Sequence, residues 1–208
     1  MGRNRILTIV RTASVVAVVV AMAVQAVVLA NNGAFDPTRF FAYFTIQSNL
    51  VGVAAFTLVL ANRDRPRGRA LESFRGAATS YLTVVFFVVI ALLSNVDVGL
   101  QLAWVDFVLH KLFPLIVVLD WIIDRPTVRL NARDALAWLA YPLIWTGLTL
   151  LRGAADGWYP YPFLNPTNGG YAAVAITVVA ITVGFLLVAA FYIWLGNLRG
   201  RLLEQPAT

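Results

Sequence analysis

At 208 residues, 60% hydrophobic and 12% charged, the chain has too few charges to cover the surface of a soluble domain. Its net charge of +6 would suit nucleic acid in a soluble protein, but here the arginines sit in short segments beside long apolar runs, which is a topology signal. With no cysteine and one histidine, the composition excludes disulfides, thiolate metal sites, cysteine nucleophiles and multi-histidine metal or haem sites; no metal and no cofactor are expected.

Six apolar runs follow one another, at 12–30, 40–61, 77–95, 102–123, 135–151 and 171–195. Most are close to the roughly 20 residues that cross a hydrocarbon core. They must be helices, because lipid cannot satisfy open backbone groups and nothing alternates like a barrel strand. The expectation is an all-α polytopic membrane protein, one transmembrane domain over 1–208 built as a six-helix bundle. The first run follows a basic start, as in a signal peptide. It is long, however, and Ala30-Asn31-Asn32-Gly33 is a poor cleavage site, so it reads as a retained anchor.

The segments between runs set the direction. Arg3, Arg5 and Arg11, then Arg63, Arg65, Arg67, Arg69 and Arg75, then Arg125, Arg129 and Arg133, then Arg199 and Arg201 fall on one side. The other side has Arg39 and Arg152, and Lys111 lies within a run. This asymmetry predicts both termini in the cytoplasm, with the chain in the cell membrane. The arginine-rich stretch 62–75 reads as a topology determinant, and Asp120 and Asp124 as boundary residues. On the far side, 152–170 carries Trp158, Tyr159, Tyr161 and Phe163 among Pro160, Pro162 and Pro166. An interfacial aromatic anchor is the favoured reading there, with a cap over an outward-facing cavity as the sharper one.

Polar groups inside apolar helices need a partner or a role. Thr45, Ser48, Asn49 and Gly52 recur at i, i+3, i+4 and i+7, so they share one face, which must point into the bundle. Read plainly, that face is helix glue; read chemically, it offers a hydroxyl nucleophile with Ser48, Asn49 or a backbone N–H as oxyanion donors. Asp106 and His110 are four apart on the fourth run, so a carboxylate can fix the imidazole and leave its other nitrogen as a base. The plain reading of that pair is a buried structural contact. Pro114 has no N–H for the His110 carbonyl, and a kink is expected beside the histidine. Counted from the outer ends of their runs, Thr45 and His110 lie roughly 8 Å and 12 Å deep, in the same leaflet.

These residues carry a resemblance. Phe44-Thr-Ile-Gln-Ser-Asn-Leu50, Leu109-His-Lys-Leu-Phe-Pro114 leading into Asp120-Trp121, Tyr141-Pro142, and Arg152-Gly153 with Gly157-Trp-Tyr-Pro-Tyr-Pro-Phe163 together look like the Pr6Pr family of bacterial six-span membrane proteins. More distantly, an early threonine in the second span and a lone histidine in a later one are similar to the androgen-induced (AIG/ADTRP-type) membrane proteins. Those are intramembrane threonine hydrolases of branched hydroxy fatty-acid esters. That resemblance implies Thr45 as nucleophile and His110 as base; Asp106 as the orienting carboxylate comes from face geometry.

Three readings stand side by side: a threonine-type lipid ester hydrolase working in the outer leaflet; a small-solute or proton-coupled transporter with Asp106, His110 and Lys111 as relay; and a non-catalytic membrane or lipid-binding protein. The partners expected are membrane lipids, with no nucleic acid; a homodimer would let so small a chain serve as a transporter.

Overall fold

A computed structural model describes residues 2–93 and 102–203. Every regular element among them is helical. Helix α1 spans Gly2–Asn31, a short α2 Pro37–Phe40, α3 Phe44–Ala61 and α4 Arg69–Leu92. Next come α5 (Ala103–Phe107), a π-helical segment (Val108–Leu112) and α6 (Phe113–Ile123) in unbroken succession. Helix α7 runs Ala132–Asp156, two 3₁₀ turns cover Pro162–Leu164 and Pro166–Asn168, and α8 runs Gly170–Leu203.

Five of these helices, α1, α3, α4, α7 and α8, are long and apolar enough to cross a membrane. The second expected run is shorter than predicted, because Asp36 caps a separate turn at Pro37–Phe40 and α3 starts only at Phe44. Thr45 is therefore the second residue of its helix and not five residues inside it. The third begins earlier, at Arg69, and the expected end at 94–95 lies outside the described residues. The fourth expected run is helical throughout, but its hydrogen bonding changes in the middle.

That change follows from Pro114. The Phe113 N–H bonds the Val108 carbonyl, an i−5 contact. In that register the Leu109 carbonyl would take its hydrogen from residue 114, which is proline and has none. Asn49 supplies the missing donor from the facing helix, its Nδ2 lying 3.1 Å from the Leu109 oxygen and 2.8 Å from the Thr45 oxygen. The perturbation takes the form of a π segment holding His110. Close approach is possible because residue 52 is glycine: a Cβ there would come within 2.7 Å of the Phe113 ring and 2.8 Å of Leu82.

Helix α4 is central, packing against α3, α6 and α8, while α3 also meets α1 and α7 meets α8. At the arginine-rich end, charge holds the bundle together. Arg11 of α1 bonds Asp120 (2.8 Å) and Asp124 (2.5 Å). Arg75 of α4 bonds Glu72 (2.6 Å) and Asp120 (3.0 Å). Arg67, ahead of α4, bonds Glu72 (2.7 Å) and grips Asp124 with two nitrogens at 2.9 and 3.0 Å. Three guanidiniums meet three carboxylates, and Glu72 is fully buried. Arg67 and Arg75 are thus interior residues, where the sequence suggested loop topology alone. Asp120 and Asp124 are at the end of α6 as expected, but they are the hub of the cluster.

Asp124 lies just past α6. Burial raises its carboxyl, yet hydrogen bonds from Arg67 and Arg11 and the charge of Arg75 outweigh this and hold it at about 2, below the usual 3.8. A carboxyl depressed in the folded state stabilises fully above its unfolded value and loses that contribution as pH falls through the folded one. Thermal unfolding in detergent should therefore show a fall in Tm between about pH 4 and pH 2 that flattens in Asp124→Asn.

Candidate functional site

The opposite, aromatic-rich end contains the expected polar residues. All four members of the Thr45, Ser48, Asn49 and Gly52 face are buried, as the spacing required. Helix α3 contacts the π segment, so the second and fourth expected runs are neighbours. Thr45 and His110 line one cavity of about 210 Å³, together with Asp36, Arg39, Trp158 and Tyr161.

His110 is 4% exposed, and its Nδ1 is 2.8 Å from Asp106 Oδ1. In a neutral imidazole, a proton on Nδ1 donates to an ionised Asp106 and leaves Nε2 as the base. Lys111 Nζ donates to the other Asp106 oxygen at 3.1 Å and is half-exposed. Asp106 thus sits between the imidazole and the Lys111 ammonium and is not among the residues that line the cavity.

Thr45 occupies the first turn of α3, where backbone N–H groups have no partner within the helix. Tyr161 fills the place of a capping side chain: Thr45 N–H donates to its hydroxyl at 3.3 Å, and the Thr45 and Tyr161 hydroxyls are also 3.3 Å apart. Pro162 holds Tyr161 in extended backbone (φ −133°, ψ 140°). Tyr161 is buried, and burial pushes its phenol up to about 12 against the pull of its Thr45 contacts, so it keeps its proton as a donor. The sequence assigned this tyrosine to an interfacial anchor. The structure instead makes it part of the cavity wall and the cap of the candidate nucleophile's helix. The available signal was the Pro-Tyr-Pro triplet in a long aromatic loop, which named the loop but not its target.

Two expected oxyanion candidates are placed differently. Both hydrogens of the Asn49 amide are engaged, by the Thr45 and Leu109 carbonyls, so Asn49 is a structural brace. Ser48 is fully buried, lines neither this cavity nor its neighbour, and its hydroxyl has no partner among the described residues. The helical spacing brought them to the inward face, but a face about 100° wide includes directions that miss the cavity.

The remaining singled-out residues build the frame around the cavity. Gln47 donates to the Phe41 carbonyl at 2.7 Å and accepts from the Tyr141 hydroxyl, tying α3 to α7. Arg152 of α7 reaches the Thr38 carbonyl and hydroxyl at 3.0 Å and stacks on Trp158. Arg39 also lies over the Trp158 ring, 5.4 Å from its centroid, and is beside Asp36 at 3.5 Å. Gly153 leaves room for the Tyr159 ring, and Gly157 ends α7 in the left-handed conformation at φ 75°. No group of described histidines and carboxylates could hold a metal ion. Set against family models, curated proteins and solved structures, the chain matches none of them.

Proposed function

We propose that this chain is an intramembrane hydrolase of lipid esters, with Thr45 as nucleophile, His110 as general base and Asp106 orienting the imidazole. The observation that carries the reading is that Thr45 and His110 wall the same cavity while Asp106 holds Nδ1 of the imidazole. A threonine hydroxyl needs an adjacent base to react. In the proposed cycle, Thr45 Oγ1 adds to the ester carbonyl as its proton passes to His110 Nε2. The carbon–oxygen bond to the alcohol then breaks, and the imidazolium returns that proton to the leaving oxygen. Water deprotonated by His110 cleaves the acyl-threonine, releasing the acid and restoring the hydroxyl. The Tyr161 hydroxyl, 3.3 Å from Thr45 Oγ1, is the candidate donor to a developing oxyanion.

The same proposal counts the Ala103–Ile123 helix as the sixth span. It takes the Pr6Pr and androgen-induced resemblances as kinship and puts both termini in the cytoplasm of a cell-membrane protein. The cavity then faces the outer leaflet, where a lipid ester enters laterally and water enters from outside. A fluorophosphonate probe applied to the full-length protein in detergent should label Thr45, identified by peptide mass spectrometry, and His110→Ala should abolish the label. Labelling that persists in both Thr45→Ala and His110→Ala would overturn the reading.

A further inference from the structure

Thr45 lies between two chambers. The larger, of about 210 Å³, holds His110 with the charged pair Asp36 and Arg39. The smaller, of about 70 Å³, lies between α4, α7 and α8 and is walled by aliphatic and aromatic side chains that include Val84, Val88, Leu139, Val178 and Phe185. Thr45 and Tyr161 line both, whereas His110 lines only the larger.

We infer that the smaller chamber is the acyl pocket and that it admits short acyl groups, of about two to four carbons. The inference rests on the hydrolase reading above. When the tetrahedral intermediate collapses, the leaving oxygen must take its proton from His110, so the alcohol part must lie in the chamber that His110 lines. The acyl group is attached to the same carbon on the opposite side and must point away, into the apolar chamber. Polarity agrees with this orientation: the larger chamber offers Asp36, Arg39 and the imidazole to the attacking water and the alcohol oxygen, and Leu29, Phe40, Ile46 and Leu109 to the hydrocarbon of a lipid alcohol, whereas the smaller is walled by valines and aromatic rings. An apolar cavity of about 150 Å³ takes one benzene ring, so about 70 Å³ takes the carbonyl carbon's chain for roughly three further carbons. Val88 of α4 and Val178 of α8 line the chamber from two different helices, so a larger side chain at either shortens the space left for the acyl chain.

The experiment is a chain-length series of p-nitrophenyl esters, acetate, butyrate and octanoate, on the full-length protein in detergent, with Thr45→Ala as the blank. Butyrate should exceed octanoate in kcat/KM by about 10-fold or more. Val88→Phe, and independently Val178→Phe on the facing helix, should cut butyrate by about 10-fold relative to acetate. Val88→Ala should raise octanoate relative to butyrate. Thr45-dependent hydrolysis of octanoate as fast as butyrate overturns the acyl pocket alone, as does an equal loss of acetate and butyrate in correctly folded filling variants. Hydrolysis that survives Thr45→Ala, or no hydrolysis of any ester, overturns the hydrolase reading and the pocket with it.

Discussion

His110→Ala is expected to lower Thr45-dependent ester hydrolysis by about 10²–10⁴-fold, the contribution of a positioned general base. Among the described residues that line the cavity, no other is a free general base. Asp36 is engaged by the Thr38 and Arg39 N–H groups and paired with Arg39, and Asp106, bonded to Lys111, does not line the cavity. The truncation leaves a space where the imidazole stood, in a cavity of about 210 Å³ that already admits water-sized groups. Added imidazole should therefore restore part of the rate in His110→Ala and none in Thr45→Ala. A structural role alone predicts the opposite pattern: reduced thermal stability in His110→Ala, no rescue, and an unchanged rate per folded molecule. Steady-state hydrolysis with and without imidazole, paired with thermal unfolding of each variant, separates the two.

Arg75→Met is expected to be the most damaging single change to stability, costing about 3–5 kcal/mol. Arg75 is 3% exposed and bonds Glu72 and Asp120 at once. Its removal leaves the buried Glu72 with Arg67 and Asp120 with Arg11, so negative charge exceeds positive inside the bundle. Met keeps the length of the apolar stem, so the loss reports charge and hydrogen bonding more than volume. The companion variant Glu72→Met with Arg75→Met restores the charge balance and should recover part of the loss, since replacing a whole buried pair costs far less than breaking one. Tm in detergent, read by loss of the folded peak on size exclusion, measures both. A double variant as unstable as Arg75→Met would mean that shape at this junction matters more than charge.

Much of this molecule is legible in its sequence, for reasons that stay local. Long uncharged runs require lipid and therefore helix, and five such helices are present. Residues four apart on a helix share a face, so the Asp106–His110 bond was readable from spacing, as was the inward burial of Thr45, Ser48, Asn49 and Gly52. Pro114 announced a break in hydrogen bonding beside the histidine, because a missing N–H is a property of one residue.

What the chain's own periodicity does not contain is which distant group answers each of these. Asn49 and Thr45 have equivalent places on the inward face, yet one is consumed by an orphaned carbonyl across the helix interface and the other opens on a cavity. Arg67 and Arg75 look like the neighbouring loop arginines until α1, α4 and α6 converge and bring three carboxylates against them. Tyr161 looks like any interfacial aromatic until the loop folds back over α3 and sets its hydroxyl against Thr45. Helix and solvent preference are decided within a few residues, so the sequence by itself determined the class of protein and the faces of its helices. Pairing across helices depends on how those faces rotate and cross when packed. Only the tertiary structure therefore decided that Thr45, His110 and Tyr161 line one cavity and that the arginines form one lock.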